Sequence, residues 1–403
     1  MNIRRTLEIL ACMTITMCAC TDIYGENFMV APGEPWPHTT QAIAPGDTIY
    51  IAAGNHGPQV LNELKGTAEK PILIAPADPE LPGTLFGGEW SLDLIDCQHV
   101  HIESLLFIAN TQGGIRISGS PQRPSQGIRI TGGYVARPGR PPGDRIGILA
   151  RHTEDLSIDG TRVDAWGRAA VTVEDSKRIR IHNVNGLPKM DARFGIELNN
   201  NVEDVEITEL KIQQLRGTGV RIGNLKKNPR TPATRSKNIS INRCWFMDCD
   251  IAVSIANAEN VRIDYCLLLD QTKCCVEILT SPESNTPSNI SMSWNTIQWE
   301  VGGISSFFRN LEKADQFTLN PNLWWSQEMP EAAEYLGPFP TEFKDQQVIT
   351  VDPKLTPRTL KQMNPKSFRF GPSALITNEN TSKPNDSKAD NAEDLDEEKK
   401  KRE

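Results

Sequence analysis

A short alternating segment, GIELN at Gly195, carries Glu197 on one side of the chain and is preceded by Lys189, Asp191 and Arg193. Similar segments put Arg116, Leu149, Thr172, Arg221, Ser254, Glu277 and Ser305 at the position of Glu197. Arg151, His152, Glu174, Asp175, Asn199, Asn200, Asn201 and Asn224 fall just beyond it. Together these groups meet the needs of proton abstraction beside a carboxylate. Lys189 or His152 is the candidate base, Arg193 or Arg221 the clamp for a substrate carboxylate, and Glu174 with Glu197 the ligand pair for a hard cation such as Ca2+. The same residues equally suit a solvated face whose opposite charges pair between neighbours, for under about 1 kcal/mol each. Asn199 and the two residues after it also suit turn chemistry. Other chemistries lack their residues, since no G-x-S-x-G, H-E-x-x-H or phosphate-binding glycine loop occurs.

A second group is aromatic. Five of the eight Trp follow residue 240, and Tyr265 and Trp294 occupy the same place in neighbouring copies of a repeat. Trp245, Tyr265 and Trp294, with Asn199, are the candidate substrate-binding residues, because aromatic rings stack on the apolar faces of sugars. Packing under the end of a core is the competing use.

The repeat is what must position these groups. A pair of apolar positions flanking one outward residue recurs as VHI at Val100, IRI at Ile128, LSI at Leu156, IRI at Ile179, VEI at Val205, ISI at Ile239, VRI at Val261, ISM at Ile290 and FTL at Phe317. The second apolar residue runs Ile102, Ile130, Ile158, Ile181, Ile207, Ile241, Ile263, Met292, Leu319, eight steps of about 27 residues. Each period holds a second alternating segment, such as GIRIS at Gly114, AVTVE at Ala170 and AVSIA at Ala252, the weakest being GISSF at Gly303. Period-two alternation rich in branched residues reads as strand, and no period has helical spacing. Two or three short strands per coil, without helices, predict an all-β fold: a single-stranded parallel β-helix of about ten coils with capped ends. The crossover rule makes it right-handed. A leucine-rich repeat lacks its register, and a propeller blade needs a longer period.

In that register Cys244 stacks on Cys266, and Asn295 and Asn322 continue the column. Inward amides satisfy bend backbone groups along the stack. The two cysteines are either a disulfide or stacked thiols. A zinc site lacks paired CxxC spacing.

The chain has 43 Lys+Arg against 51 Asp+Glu, net −8, which argues against nucleic-acid binding. Residues 1–20 read as an export leader, with Arg4 and Arg5 ahead of an apolar run. Its end, Met17-Cys18-Ala19-Cys20, resembles the lipobox of bacterial lipoproteins, which makes Cys20 the expected lipidation site and the lipid the only membrane contact. Residues 21–43 read as a linker, 44–376 as the β-helix domain and 377–403 as a disordered charged tail. Insertions at 137–145, 226–235 and 281–288 are either groove-building loops or tolerated surface loops. A monomer is expected.

APGDTIYI at Ala44, GTAEKPILI at Gly66, and DPKL, SFRF and PSALI between Asp352 and Ile376 carry a family likeness. They resemble the N-terminal cap and closing strands of the chondroitinase-B and alginate-lyase-like polysaccharide lyases, departing at His56 where the family has an aromatic residue. The resemblance implies a β-helix acting on an acidic polysaccharide by β-elimination, with a Lys, an Arg and often Ca2+. The family's ISVKS-like strand is absent, and Arg193-Phe194-Gly195 echoes only its RHG-like strand. The expected function is therefore an exported cell-envelope protein that binds, and by this likeness cleaves, an acidic polysaccharide. The alternative is a non-catalytic carbohydrate-binding or surface-interaction scaffold.

Overall fold

Triplets such as Ile-Arg-Ile favour extended backbone, because β-branched side chains are stiff at χ1 and pack well on a pleated face. In the computed structural model every such triplet lies in a strand, apart from Ile128 just ahead of Arg129–Thr131, and a full coil supplies three strands. One coil, for example, consists of Thr153–Asp159, Arg162–Asp164 and Ala169–Glu174. The structure describes residues 25–39, 41–108, 110–136, 145–189, 191–225, 235–280, 285–299, 304, 306–325 and 347–349. Cys20 and the leader, Ser305, the closing strands expected after Asp352 and the tail at 377–403 lie outside these residues.

Equivalent strands of successive coils pair in parallel and form three long sheets of 13, 12 and 10 strands, here the first, second and third sheets in the order the chain visits them. The inner column predicted from the repeat is the observed register. Ile102, Ile130, Ile158, Ile181, Ile207, Ile241, Ile263, Met292 and Leu319 are successive Cα partners in the first sheet. The column extends three rungs further back, through Ile74, Ile49 and Phe28. Asn27–Val30 thus pairs with Thr48–Ile51, so part of the segment read as linker is the first rung.

The third strand of each coil starts close to the second sheet, which leaves little room inside. A Cβ on Gly195 would lie 2.9 Å from Ile212 Cδ1, and one on Gly219 would lie 2.4 Å from Phe246 Cδ1. The column containing these glycines otherwise holds Ala170, Ala252 and Cys275, all fully or almost fully buried. One register expectation fails. The rung above Glu277 is Arg309, in Phe308–Arg309, and not Ser305. The GISSF run has serine where an inward branched residue is needed, so the chain runs on until buried Phe308 can pair with Val276.

The inward polar column forms as expected. Asn295 Oδ1 accepts from the Cys266 N–H at 2.8 Å, and Asn322 Oδ1 accepts from both the N–H and Nδ2 of Asn295 at 2.8 and 2.9 Å. Cys244 and Cys266 are fully buried free thiols, each donating to backbone carbonyls, Asn242 O and Asp264 O at 3.3 Å. Burial raises the Cys266 pKa well above the normal thiol range, with Cys244 adding to the rise. Cys97, Cys249, Cys274 and Cys275 are buried as well. A thiol reagent should therefore leave these six cysteines unmodified in the native protein and label them in guanidinium, as read by intact mass. Rapid native labelling would contradict the packing.

Candidate functional site

The outer face of the third sheet carries the residues singled out for acid–base chemistry. Its central ladder reads Asp93, Arg116, Leu149, Thr172, Glu197, Arg221, Ser254, Glu277 and Arg309. Opposite charges meet on neighbouring rungs. Arg116 forks onto Asp93, with Nε to Oδ1 at 2.8 Å. Arg151 holds Glu174 at 2.8 Å through Nε and 2.6 Å through Nη2. The decisive residue is one the sequence reading missed. Arg168 donates from Nε to Glu197 Oε2 at 2.7 Å, and its Nη2 lies 3.9 Å from Glu174. Thr172 adds a bond to Glu197 at 3.3 Å.

The two carboxylates expected to bind a cation are thus engaged by guanidinium groups, and the arrangement does not fit Ca2+. Among the described residues no three His, Cys, Asp or Glu side chains cluster as a metal site. Nor is this face an open groove at its centre, since Glu174, Glu197 and Asn199 are only 8, 5 and 4% exposed. Arg221 is brought beside Glu197 as expected, with its guanidinium 5.2 Å above the Phe194 ring. Burial lowers the Arg221 pKa, and Glu197 and Glu277 oppose that.

The two candidate bases are separated. Lys189 and the exposed Arg193 precede Phe194–Asn199, whereas His152 follows Ile146–Arg151. They lie at opposite edges of the sheet, about 17 Å of strand apart, so they cannot serve one reacting atom.

The aromatic group also divides. Trp245 is 7% exposed, packs on Leu267 and Leu269, and has Lys211 Nζ 4.6 Å from its ring centroid. It is a packing residue and not an open sugar platform, because its rung neighbours Lys211 and Leu267, with Leu269, cover the ring. Trp299 and Trp324 sit in the core around Phe307, at centroid distances of 4.7 and 5.2 Å. Tyr265 and Trp294 differ, being 38 and 37% exposed on adjacent rungs. Both have left-handed backbone, φ 54° and 58°, in a corner column that holds Ser104, Gly132, Gly160, Asn183, Glu209 and Arg243 on earlier coils. Left-handed backbone disfavours bulky side chains by about 1 kcal/mol, and these two are the aromatic members of the column among the described residues. Asn199 lies on the third sheet, away from this pair.

The open groove is on the first sheet. It has a volume of about 830 Å3, and its floor is the outward ladder His101, Arg129, Ser157, Arg180, Glu206, Ser240, Arg262. Seven rungs at about 4.8 Å make it roughly 29 Å long, parallel to the solenoid axis. Arg180 lies 3.6 Å from Glu206, while exposed Arg129 and Arg262 have no ion-pair partner among the described residues. One margin is a column of left-handed corner residues. There Arg178 holds Asp155 at 2.6 Å, and an amide ladder runs Asn289 to Asn260 to Asn238 to Asp204 with bonds of 2.6, 2.9 and 2.9 Å. Burial, with Arg129 and His99 alongside, lowers the His101 pKa below 6.5. These floor residues were legible: each is the middle letter of the VHI, IRI, LSI triplets that define the repeat.

No family model matches the chain, and no curated protein matches it. Solved structures do. XylC in complex with xylose aligns over 73% of this chain and 71% of its own, at 8% identity and a TM-score of 0.51. An alginate lyase from Paenibacillus sp. str. FPU-7 aligns over 72% of this chain and 97% of its own, at 14% identity and 0.42. A mannuronic acid specific family 6 polysaccharide lyase from human gut microbiota aligns over 88% and 98%, at 13% and 0.40. At these identities the likeness is one of fold, the parallel β-helix.

Proposed function

We propose that this chain is an exported, lipid-anchored β-helix protein that holds an acidic polysaccharide in the first-sheet groove. The observation that carries the reading is the set of outward arginines along that groove, of which Arg129 and Arg262 have no ion-pair partner among the described residues. A linear polyanion laid along the axis meets Arg129, Arg180 and Arg262 in turn and releases counterions as it does so. Calorimetric titration with polyuronates, chondroitin sulfate and neutral dextran tests this. Salt-sensitive binding of the anionic polymers alone is expected, and equal binding of dextran would overturn the charge-based reading. Palmitate labelling that disappears in Cys20→Ser tests the anchor.

Tyr265 and Trp294 sit at the corner just beyond Arg262 and supply a stacking surface where the groove ends. Trp294→Asn is expected to weaken glycan binding several-fold while leaving unfolding free energy unchanged or raising it by up to about 1 kcal/mol, because Asn tolerates left-handed backbone. A large loss of stability in urea would make the residue a packing group instead.

Acidity should matter in one direction. His101 is held below its normal pKa in the free protein, and a bound polyanion favours its protonated form, so binding takes up a proton. Affinity should rise as pH falls from 7 toward 5, and His101→Asn should remove that part of the rise. A pH-independent affinity contradicts the placement of polymer over His101.

Cleavage is the second reading, favoured by the same pair. A neutral His101 beside Arg129, which has no ion-pair partner among the described residues, combines a base with a carboxylate clamp, the two groups β-elimination from a uronate requires. Ultraviolet absorbance from the unsaturated product, lost in His101→Asn, tests it.

A further inference from the structure

Three arginines share one register at the start of the third-sheet strands. Arg145, Arg168 and Arg193 each precede the first paired residue of three successive strands, which begin Ile146, Ala169 and Phe194. The Arg168 N–H donates to Arg145 O at 2.8 Å, and the Phe194 N–H to Arg168 O at 2.8 Å. Arg168 is committed to Glu197, and Arg193 is exposed. Arg145 is neither. Its side chain is buried, the residue being 4% exposed, and its Nη2 has no hydrogen-bond partner among the described residues. Asp191 acts on it only through space, against a burial that lowers its pKa.

The surroundings make this guanidinium costly. Ile146 follows it and packs with Trp90 and Leu149 in a small apolar cluster on the same outer face. The Trp90 ring lies across Gly113, where a Cβ would approach it to 2.1 Å, and its Nε1 is also buried without an acceptor among the described residues. Buried donors with no acceptor are rare in native proteins, because each forfeits its hydration without replacement. A buried cation suffers more. A face that presents unmatched donors, one of them charged, is complementary to an oxyanion.

We infer that Arg145 anchors an anion site on the outer face of the third sheet, distinct from the first-sheet groove and independent of it, that takes a carboxylate or sulfate group. The guanidinium fork matches either group in two-pronged fashion, and the apolar cluster beside it strengthens the bond by excluding water. The group is either a free anion or a substituent of a glycan.

Thermal unfolding of the full chain in increasing sodium sulfate or sodium acetate, at constant ionic strength, tests the site. The wild-type melting temperature is expected to climb with the logarithm of anion concentration, as linkage to a native-state site requires. Arg145→Met should melt at or above the wild type in anion-free buffer, since an unpaired charge is gone, and should keep only the general salting effect of sulfate. Identical anion dependence in wild type and Arg145→Met overturns the proposal. Should the methionine variant fail to fold, Arg145→Lys serves, with a sulfate dissociation constant raised about tenfold by calorimetry because a lysine cannot fork; an unchanged constant overturns it as well. A short uronate oligomer that competes with sulfate assigns the anion to a glycan. A site that binds sulfate and ignores the oligomer belongs to free anions.

Discussion

Arg129→Glu combined with Arg262→Glu should lower affinity for an anionic polysaccharide by roughly 100-fold at low salt, about tenfold for each reversed charge. Both side chains are exposed on the groove floor and hold no ion pair among the described residues, so the double variant should unfold at the wild-type urea concentration. Their rungs are five apart, so the two reversals act on different stretches of polymer and should add. The slope of affinity against salt should flatten, because fewer counterions are displaced. Arg123→Glu is the control. It alters net charge as much as either single reversal does, but Arg123 lies outside the groove, 3.7 Å from Glu63, so affinity should change by less than about twofold. Equal losses in the control and the double variant would mean that overall charge, not the groove, attracts the polymer.

Asn295→Leu should reduce the free energy of unfolding by about 3 kcal/mol. The residue is fully buried, its Oδ1 accepts the Cys266 N–H at 2.8 Å, and its Nδ2 donates to Ile263 O at 2.9 Å as well as to Asn322. Leucine fills nearly the same volume and removes all three bonds. It strands a buried donor and a buried acceptor on the neighbouring rung, at about 1–3 kcal/mol each. Urea denaturation followed by tryptophan fluorescence reads the change, and a loss below about 1 kcal/mol would show that the stack is not what satisfies the bend. Because a solenoid gains stability rung by rung, the damage should appear first as early loss of the coils around Trp299 and Trp324.

Both predictions rest on features with different histories. The Asn295–Asn322 stack follows from counting residues in the repeat, since a ladder of equivalent positions is a property of the period alone. The groove follows from the same count, because Arg129, Arg180 and Arg262 are the outward letters of the triplets. Titratable residues are denser in the third-strand segments, but there the carboxylates of Glu174 and Glu197 are held by arginines. The third-sheet cluster shows the opposite limit. The repeat count makes Glu197 and Arg221 neighbours, as the observed register has them, but Arg168 reaches Glu197 and Glu174 from the corner before its strand, a place with no fixed alternation. Lys189 and His152 are near in sequence to the same ladder and still end at opposite edges of the sheet.

Local alternation determined which residues face in, which face out and which lie above one another, because a strand's two-residue period and a coil's repeat length are properties of the chain itself. Tertiary structure alone decided which outward ladder is open to a ligand, which of two tryptophans is covered, and which carboxylates are already held by arginine. Those outcomes depend on side chains arriving from corners and from neighbouring coils, and their reach is set by the packing of the whole solenoid rather than by spacing along any one segment.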